Sequence, residues 1–217
     1  KWDTLWPGGL TFAFDDGPFK PSTDTFLLGG FAAPRPRDRV CDLGAGIGLL
    51  GLLLLGRQPS IRVTDIDIDP AACALAEESF AQNGLTGHTV LRADLRRRQE
   101  LPPAGSFDMV VSNPPYFAAD SGAVAAGQRG AARSEVTCTL AELCGAASYL
   151  LRSGGQLCLV YRAARLAELM ALLRSYKLEP KELQTVQKTI DTPPRLVLLR
   201  CRKDGGTGLD IRPPLLL

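Results

Sequence analysis

From residue 39 onward, short runs of apolar and β-branched residues alternate with longer segments in which apolar residues recur at helical spacing. Short runs of this kind read as buried strands and the longer segments as amphipathic helices. The pattern predicts strands at 40–43, 61–66, 90–93, 107–112 and 156–161, and helices at 48–56, 70–83, 140–151 and 163–176. Strand–helix repetition gives a parallel, doubly wound sheet with right-handed crossovers. Ahead of it, Phe12, Phe14 and Phe19 surround Asp15-Asp16-Gly17-Pro18, a turn signal that predicts a short hairpin. Ser22 or Thr23 then caps a helix running to about Ala33, with Phe26, Leu27, Gly30 and Phe31 on its inner face. Pro34-Arg35-Pro36 ends that helix and separates an N-terminal extension, 1–33, from a main domain, 34–217.

The last part breaks the alternation. Residues 179–188 and 195–203 read as two strands joined by a loop containing Asp191-Thr192-Pro193-Pro194, with no helix between them, so they must run antiparallel. The expected fold is therefore α/β, a Rossmann-like sheet of seven strands closed at an edge by an antiparallel last strand. This arrangement resembles that of the class I S-adenosylmethionine (SAM) methyltransferases.

Composition narrows the picture by exclusion. With 217 residues, 45% hydrophobic and 22% charged, the chain suits one full α/β domain, and no apolar run approaches the length of a membrane span. A net charge of +2 announces no nucleic-acid binder, so any basic surface must be local. The six cysteines are scattered without a CxxC pair, which fits reduced thiols in a cytoplasmic protein and argues against a metal site. The single His88 begins a strand, has no local orienting partner and reads as structural.

The chemistry lies where strands end. Asp42-Leu43-Gly44-Ala45-Gly46-Ile47-Gly48 joins the first strand to the first helix, where glycine lets bare backbone approach a nucleotide. The spacing is ambiguous, because Gly44-x-Gly46-x-Gly48 is the methyltransferase pattern while Gly46-x-Gly48-x-x-Gly51 satisfies the dinucleotide fingerprint. Asp42 favours SAM, since a negative charge gains nothing beside a phosphate but can reach the amino-acid end of SAM through water or the loop. Val63-Thr64-Asp65-Ile66-Asp67-Ile68-Asp69-Pro70 ends the second strand with acids. Asp67 is the expected bidentate acceptor for two ribose hydroxyls, with Asp65 as the alternate and Asp69 as a helix N-cap ahead of Pro70. Asp94, after the third strand, is placed to accept the adenine amino group, and Ala45, Ile68 and Leu95 complete the expected cofactor set.

Phe107-Asp108-Met109-Val110-Val111-Ser112 stops at Asn113-Pro114-Pro115-Tyr116, a buried strand halted by two prolines at its carboxyl end. There the Asn113 side chain and the Pro114 carbonyl can both accept bonds from one amino group, with Asn113 also bordering the cofactor, while Tyr116 and Phe117 offer flat faces for a planar substrate. A conjugated exocyclic amine is a poor nucleophile. Accepting both its N–H bonds favours a pyramidal nitrogen whose lone pair points at a methyl donor.

Together these motifs resemble class I amino methyltransferases over almost the whole chain. A narrower resemblance, to bacterial tRNA adenine-N6 methyltransferases acting beside the anticodon of a valine tRNA, is carried by Lys20-Pro21-Ser22-Thr23-Asp24-Thr25-Phe26-Leu27-Leu28-Gly29, residues 113–117, Ala132-Arg133-Ser134-Glu135 and Arg212-Pro213-Pro214-Leu215. Ser134 departs from the His more usual there. The resemblance implies SAM as cofactor, tRNA as partner, an extension packed at the active site, Lys20, Thr23 and Asp24 bordering it, Arg133 near it and a mobile loop at 118–133. Arg129, Arg133 and the run Arg96-Arg97-Arg98 are candidate phosphate contacts, the run reading more readily as a solvated charge cluster. A protein glutamine or adenine in DNA would suit the same chemistry. From other classes, a nicotinamide-dependent oxidoreductase needs only the glycine turn and Asp67, and a non-catalytic RNA-binding module needs only the fold.

Overall fold

The computed structural model describes residues 1–15, 21–114 and 138–217. A first hairpin, β1 (Trp2–Thr4) with β2 (Thr11–Ala13), precedes α1 (Thr23–Phe31). The alternation follows as β3 (Arg39–Leu43), α2 (Leu49–Arg57), β4 (Arg62–Asp67), α3 (Pro70–Gln82), β5 (His88–Arg92), β6 (Phe107–Ser112), α4 (Leu140–Leu150), β7 (Leu151–Arg162) and α5 (Leu166–Ser175). The chain closes with β8 (Leu178–Gln187), β9 (Leu196–Lys203) and two short strands, β10 (Asp210–Ile211) and β11 (Leu215–Leu216).

Seven long strands form the sheet in the order β5-β4-β3-β6-β7-β9-β8, with β10 and β11 added along β8. The first five are parallel, and β9 is antiparallel to both neighbours. The reversed strand is thus one position in from where it was expected. The crossover through α5 sets β8 beyond an open slot, and the β8–β9 hairpin folds β9 back into it, where it bonds on both sides.

Side chains alternate along each strand, so the sheet buries two faces. Cys41, Leu43, Val110, Leu157 and Leu159 pack with Leu143, Ala147 and Leu150 of α4 and Leu169 and Leu173 of α5. Val40, Val63, Met109, Val111 and Val160 pack with α1, α2 and α3 through Leu28, Leu50, Leu54, Ala76 and Phe80. No helix among the described residues is long and apolar enough to cross a membrane.

Two local expectations, at α1 and β7, need correction. A hairpin of β1 and β2 precedes the Asp15–Pro18 turn signal, and residues 16–18, on which the expected turn falls, lie outside the described residues. Asn83 fixes the hairpin on α3, accepting the Thr11 N–H at 2.9 Å and donating to the Thr11 carbonyl, while the Ser79 hydroxyl accepts the Ala13 N–H. The inner face of α1 is Leu28, Gly29 and Phe31, and Phe26 is exposed; Gly29 lets the Leu53 side chain close against the helix. β7 begins at Leu151 and not at 156, so Gly154-Gly155 lies inside it, in an irregular stretch of its pairing with β6.

Candidate active site

β3, β4 and β5 are successive in sequence and in the sheet, after which the chain returns to β6 on the far side of β3. Such a reversal opens a crevice at the carboxyl ends of the two strands that flank it. The glycine turn leaves β3 on one side of this crevice and Asn113 leaves β6 on the other. The Ser112 hydroxyl donates to the Leu43 carbonyl at 2.7 Å, with both residues completely buried, so the two strand ends are locked together.

The glycines divide into two kinds. Gly44, Gly46 and Gly48 all have positive φ, of 77°, 56° and 71°. A Cβ on Gly44 or Gly46 would meet nothing within 4 Å, which is bare backbone facing open space. A Cβ on Gly48 would lie 2.8 Å from Asp65 Oδ2 and 2.9 Å from Ala76, and one on Gly51 would lie 2.5 Å from Asp65 Oδ1. The first pair therefore leaves bare backbone open to a ligand, and the second pair is required by packing. The Gly44 and Ala45 N–H groups donate to the Ile66 carbonyl, tying the turn to β4.

Three strands deliver acids beneath and around this turn. Asp42 and Asp65 are register partners on β3 and β4, 2% and 1% exposed, pointing toward α2. Burial pushes the Asp42 carboxyl up to about 8, the Asp67 charge adds to this, and the Gly51 N–H pulls the other way. Burial, then the charges of Asp42 and Asp67, pushes Asp65 well above the usual carboxylate range. One oxygen of Asp42 and both of Asp65 have no hydrogen-bond partner among the described residues. Asp65, walled in by Gly48 and Gly51, is excluded as the alternate ribose acceptor.

Asp67 is the accessible acid. One oxygen accepts the Gly46 N–H at 2.7 Å and the other the Asp69 N–H at 2.9 Å, and each keeps a lone pair for a hydroxyl. Asp69 caps α3 through the Ala71 and Ala72 N–H groups, as expected. Ile68 is 41% exposed beside Asp67. The Asp94 carboxylate is gripped by Arg96 at 2.7 Å, which holds it below the usual range, and its N–H donates to Glu100. Leu95, between them, is half-buried. The arginine run makes contacts within the protein, with Arg97 on Glu100 and Arg98 over the Tyr149 ring, in keeping with a charge cluster at the surface. His88 stacks on Phe80 with ring centroids 4.0 Å apart, in keeping with a structural role.

At the β6 side, the Asn113 amide nitrogen donates to Thr25 Oγ1 at 2.9 Å and Ser22 Oγ at 3.3 Å. Ser22 is the N-cap of α1 and accepts the Thr25 N–H. No described residue donates to the Asn113 side-chain oxygen. Pro114 is buried. The hydroxyls that touch Asn113 belong to Ser22 and Thr25, whereas Thr23 is exposed and Asp24 lies partly exposed in the same turn. Sequence reading took Ser22 only as a cap and passed over Thr25; the signal available was that this helix start is dense in hydroxyls. Lys20, Pro115, Tyr116, Phe117 and Arg133, with Arg129 and the 118–133 segment, lie outside the described residues.

The donor set fits SAM. Open glycine backbone with Asp42 buried beneath it, the Asp67 acceptor pair and Asp94 end three adjacent strands, where they could hold an amino-acid group, a ribose and an adenine in turn.

The methyltransferase small domain family matches residues 21–181. A tRNA1(Val) (adenine(37)-N6)-methyltransferase of Porphyromonas gingivalis is 33% identical over 198 residues, covering 88% of this chain and 77% of that protein. One bearing the same name from Dickeya chrysanthemi is 30% identical over 210 residues, covering 94% and 82%. Among solved structures, a predicted O-methyltransferase from Agrobacterium tumefaciens aligns with a TM-score of 0.74 at 24% identity, covering 89% of this chain and 87% of that one.

Proposed function

Because the chain belongs to the methyltransferase small domain family, we propose that the crevice between β3 and β6 transfers a methyl group from SAM to an exocyclic amine, adenine N6 in the anticodon loop of a tRNA. The observation that carries this reading is the Ser112–Leu43 lock, which holds Asn113 at the mouth of the crevice whose other wall is the glycine turn. A class I fold alone would support transfer to oxygen, nitrogen or carbon. An Asn-Pro pair at this strand end is suited to an amine, and relatives that align with most of the chain are named for adenine N6.

SAM is the methyl donor and brings a carbon already activated by its sulfonium. What remains for the protein is placement, which can supply roughly 7–11 kcal/mol at best. Gly44, Ala45, Gly46 and Gly48 give the backbone bed, Asp42 acts on the amino-acid end through that loop, Asp67 takes the ribose and Asp94 with Ile68 and Leu95 the adenine. Asn113 Oδ1 and the Pro114 carbonyl accept the two N–H bonds of the substrate amine, steering its lone pair toward the donor. Pro115 stiffens the segment, and Tyr116 with Phe117 stacks on the base. Lys20, Thr23, Asp24 and Arg133 border the bound loop. An anticodon-loop base can be splayed out without opening a duplex, which suits a site that reads one planar amine.

Incubation with methyl-labelled SAM and unmodified total tRNA, alongside DNA and protein, tests the assignment. Label entering tRNA alone is the expected result. Label entering DNA or a protein glutamine instead would move the same chemistry to another substrate, and no transfer to any of them would contradict it.

A further inference from the structure

Asparagine has an acceptor end and a donor end, and only the acceptor end is useful against an amine that must be held through its own N–H groups. The last torsion of the side chain is broad and nearly two-fold, so the covalent structure of Asn113 does not choose which end faces the crevice. The choice has to come from a neighbour.

We propose that Thr25, supported by Ser22, is a positioning residue that fixes the Asn113 amide with its oxygen toward the substrate; this rests on the reading of Asn113 as an amine acceptor. The amide nitrogen has two N–H groups and meets two hydroxyl oxygens, Thr25 Oγ1 at 2.9 Å and Ser22 Oγ at 3.3 Å. The two hydroxyls lie 3.1 Å apart and bond to each other. One hydroxyl proton is thereby occupied, and Ser22 also accepts the Thr25 N–H. The pair presents oxygen to the amide nitrogen, and no described residue competes for the amide oxygen.

The hydroxyls are themselves held firmly. Leu28 and Phe31 are 0% and 5% exposed, and Arg57 of α2 donates to the Gly29 carbonyl, so α1 is pinned against the domain behind the turn that carries Ser22 and Thr25. Thr25 comes from the extension and Asn113 from the end of β6, 88 residues later. The extension therefore completes the amine site from outside the sheet. Of the two hydroxyls, Thr25 is the cleaner probe. Ser22 also caps the helix, and its loss would weaken α1 itself. Removing the Thr25 hydroxyl leaves the cap in place.

The test uses the full chain, saturating SAM and an unmodified tRNA(Val) transcript. Thr25→Val keeps the side-chain shape and is expected to lower kcat about tenfold, with KM for the tRNA and Kd for SAM changed by less than about twofold. Thr25→Ser, which restores a hydroxyl, is expected to recover most of the rate. Wild-type turnover by Thr25→Val, with Asn113→Ala inactive, overturns the positioning role and leaves the amine-acceptor reading standing. Wild-type turnover by Asn113→Ala overturns the reading beneath it. A loss in Thr25→Val that follows a fall in Tm and is not recovered by Thr25→Ser marks a folding role and also overturns the proposal.

Discussion

The Asp67 carboxylate accepts the Gly46 N–H at 2.7 Å, so the acid that ends β4 and the open glycine turn that ends β3 are one rigid unit. A cofactor that uses the acid for its ribose and the turn for its amino-acid end meets a bed already assembled, which lowers the ordering cost of binding.

Asp67→Ala removes both of the proposed ribose acceptors and the tie on the turn. SAM affinity measured by calorimetry is expected to fall by roughly tenfold to a hundredfold, the loss of one or two bonds to a charged acceptor. Asp67→Asn, which keeps one acceptor oxygen, should lie between the variant and wild type.

The two kinds of glycine should separate in a pair of variants. Gly46→Ala forces a side chain into the left-handed region at roughly 1–2 kcal/mol but touches nothing, so its main effect is on SAM binding. Gly48→Ala carries the same strain and drives a methyl into Asp65 and Ala76, adding about 1–3 kcal/mol of overpacking. Urea denaturation should therefore show Gly48→Ala to be the less stable of the two.

The buried acids make ligand-free stability depend on pH. The ordinary value of an Asp carboxyl is 3.8, and Asp42 is raised to about 8 in the folded protein. Between those values the folded state binds more protons than the unfolded chain, so this contribution is present below about pH 4 and is lost as pH rises toward 8. Asp65, shifted in the same direction, adds to the trend. Tm should fall across this window. Asp65→Asn should flatten the profile and raise Tm at pH 8 by roughly 2–4 °C, the shift that about 1 kcal/mol produces in a domain of this size.

Much of this architecture was legible because periodicity and punctuation are local. The β6 strand matches its expected span, and the Ser22, Gly48 and Asp69 starts of three helices follow from short-range chemistry. The slot that β9 fills was not legible, because strand order depends on how far the α5 crossover carries the chain. The same limit applied to the acids. Asp42, Asp65 and Asp67 look alike in sequence, and only the packing of Gly48 and Gly51 shows that Asp65 is enclosed while Asp67 faces the turn. The contacts of the arginine run show the same limit, since Asp94, Glu100 and Tyr149 meet it only once the chain is folded. Thr25 was passed over for the same cause: its helix start is dense in hydroxyls, but the partner that gives it a role lies 88 residues away.

The central claim is that Asn113 holds an adenine amine beside the SAM methyl group, and nucleoside mass analysis of an unmodified tRNA(Val) transcript tests it most directly. After incubation with SAM, the wild-type protein should produce N6-methyladenosine in the anticodon loop. Asn113→Ala should lower that rate by at least about a hundredfold, with SAM affinity unchanged. N6-methyladenosine formed by Asn113→Ala at the wild-type rate, or a wild-type product methylated at another atom, would contradict the claim.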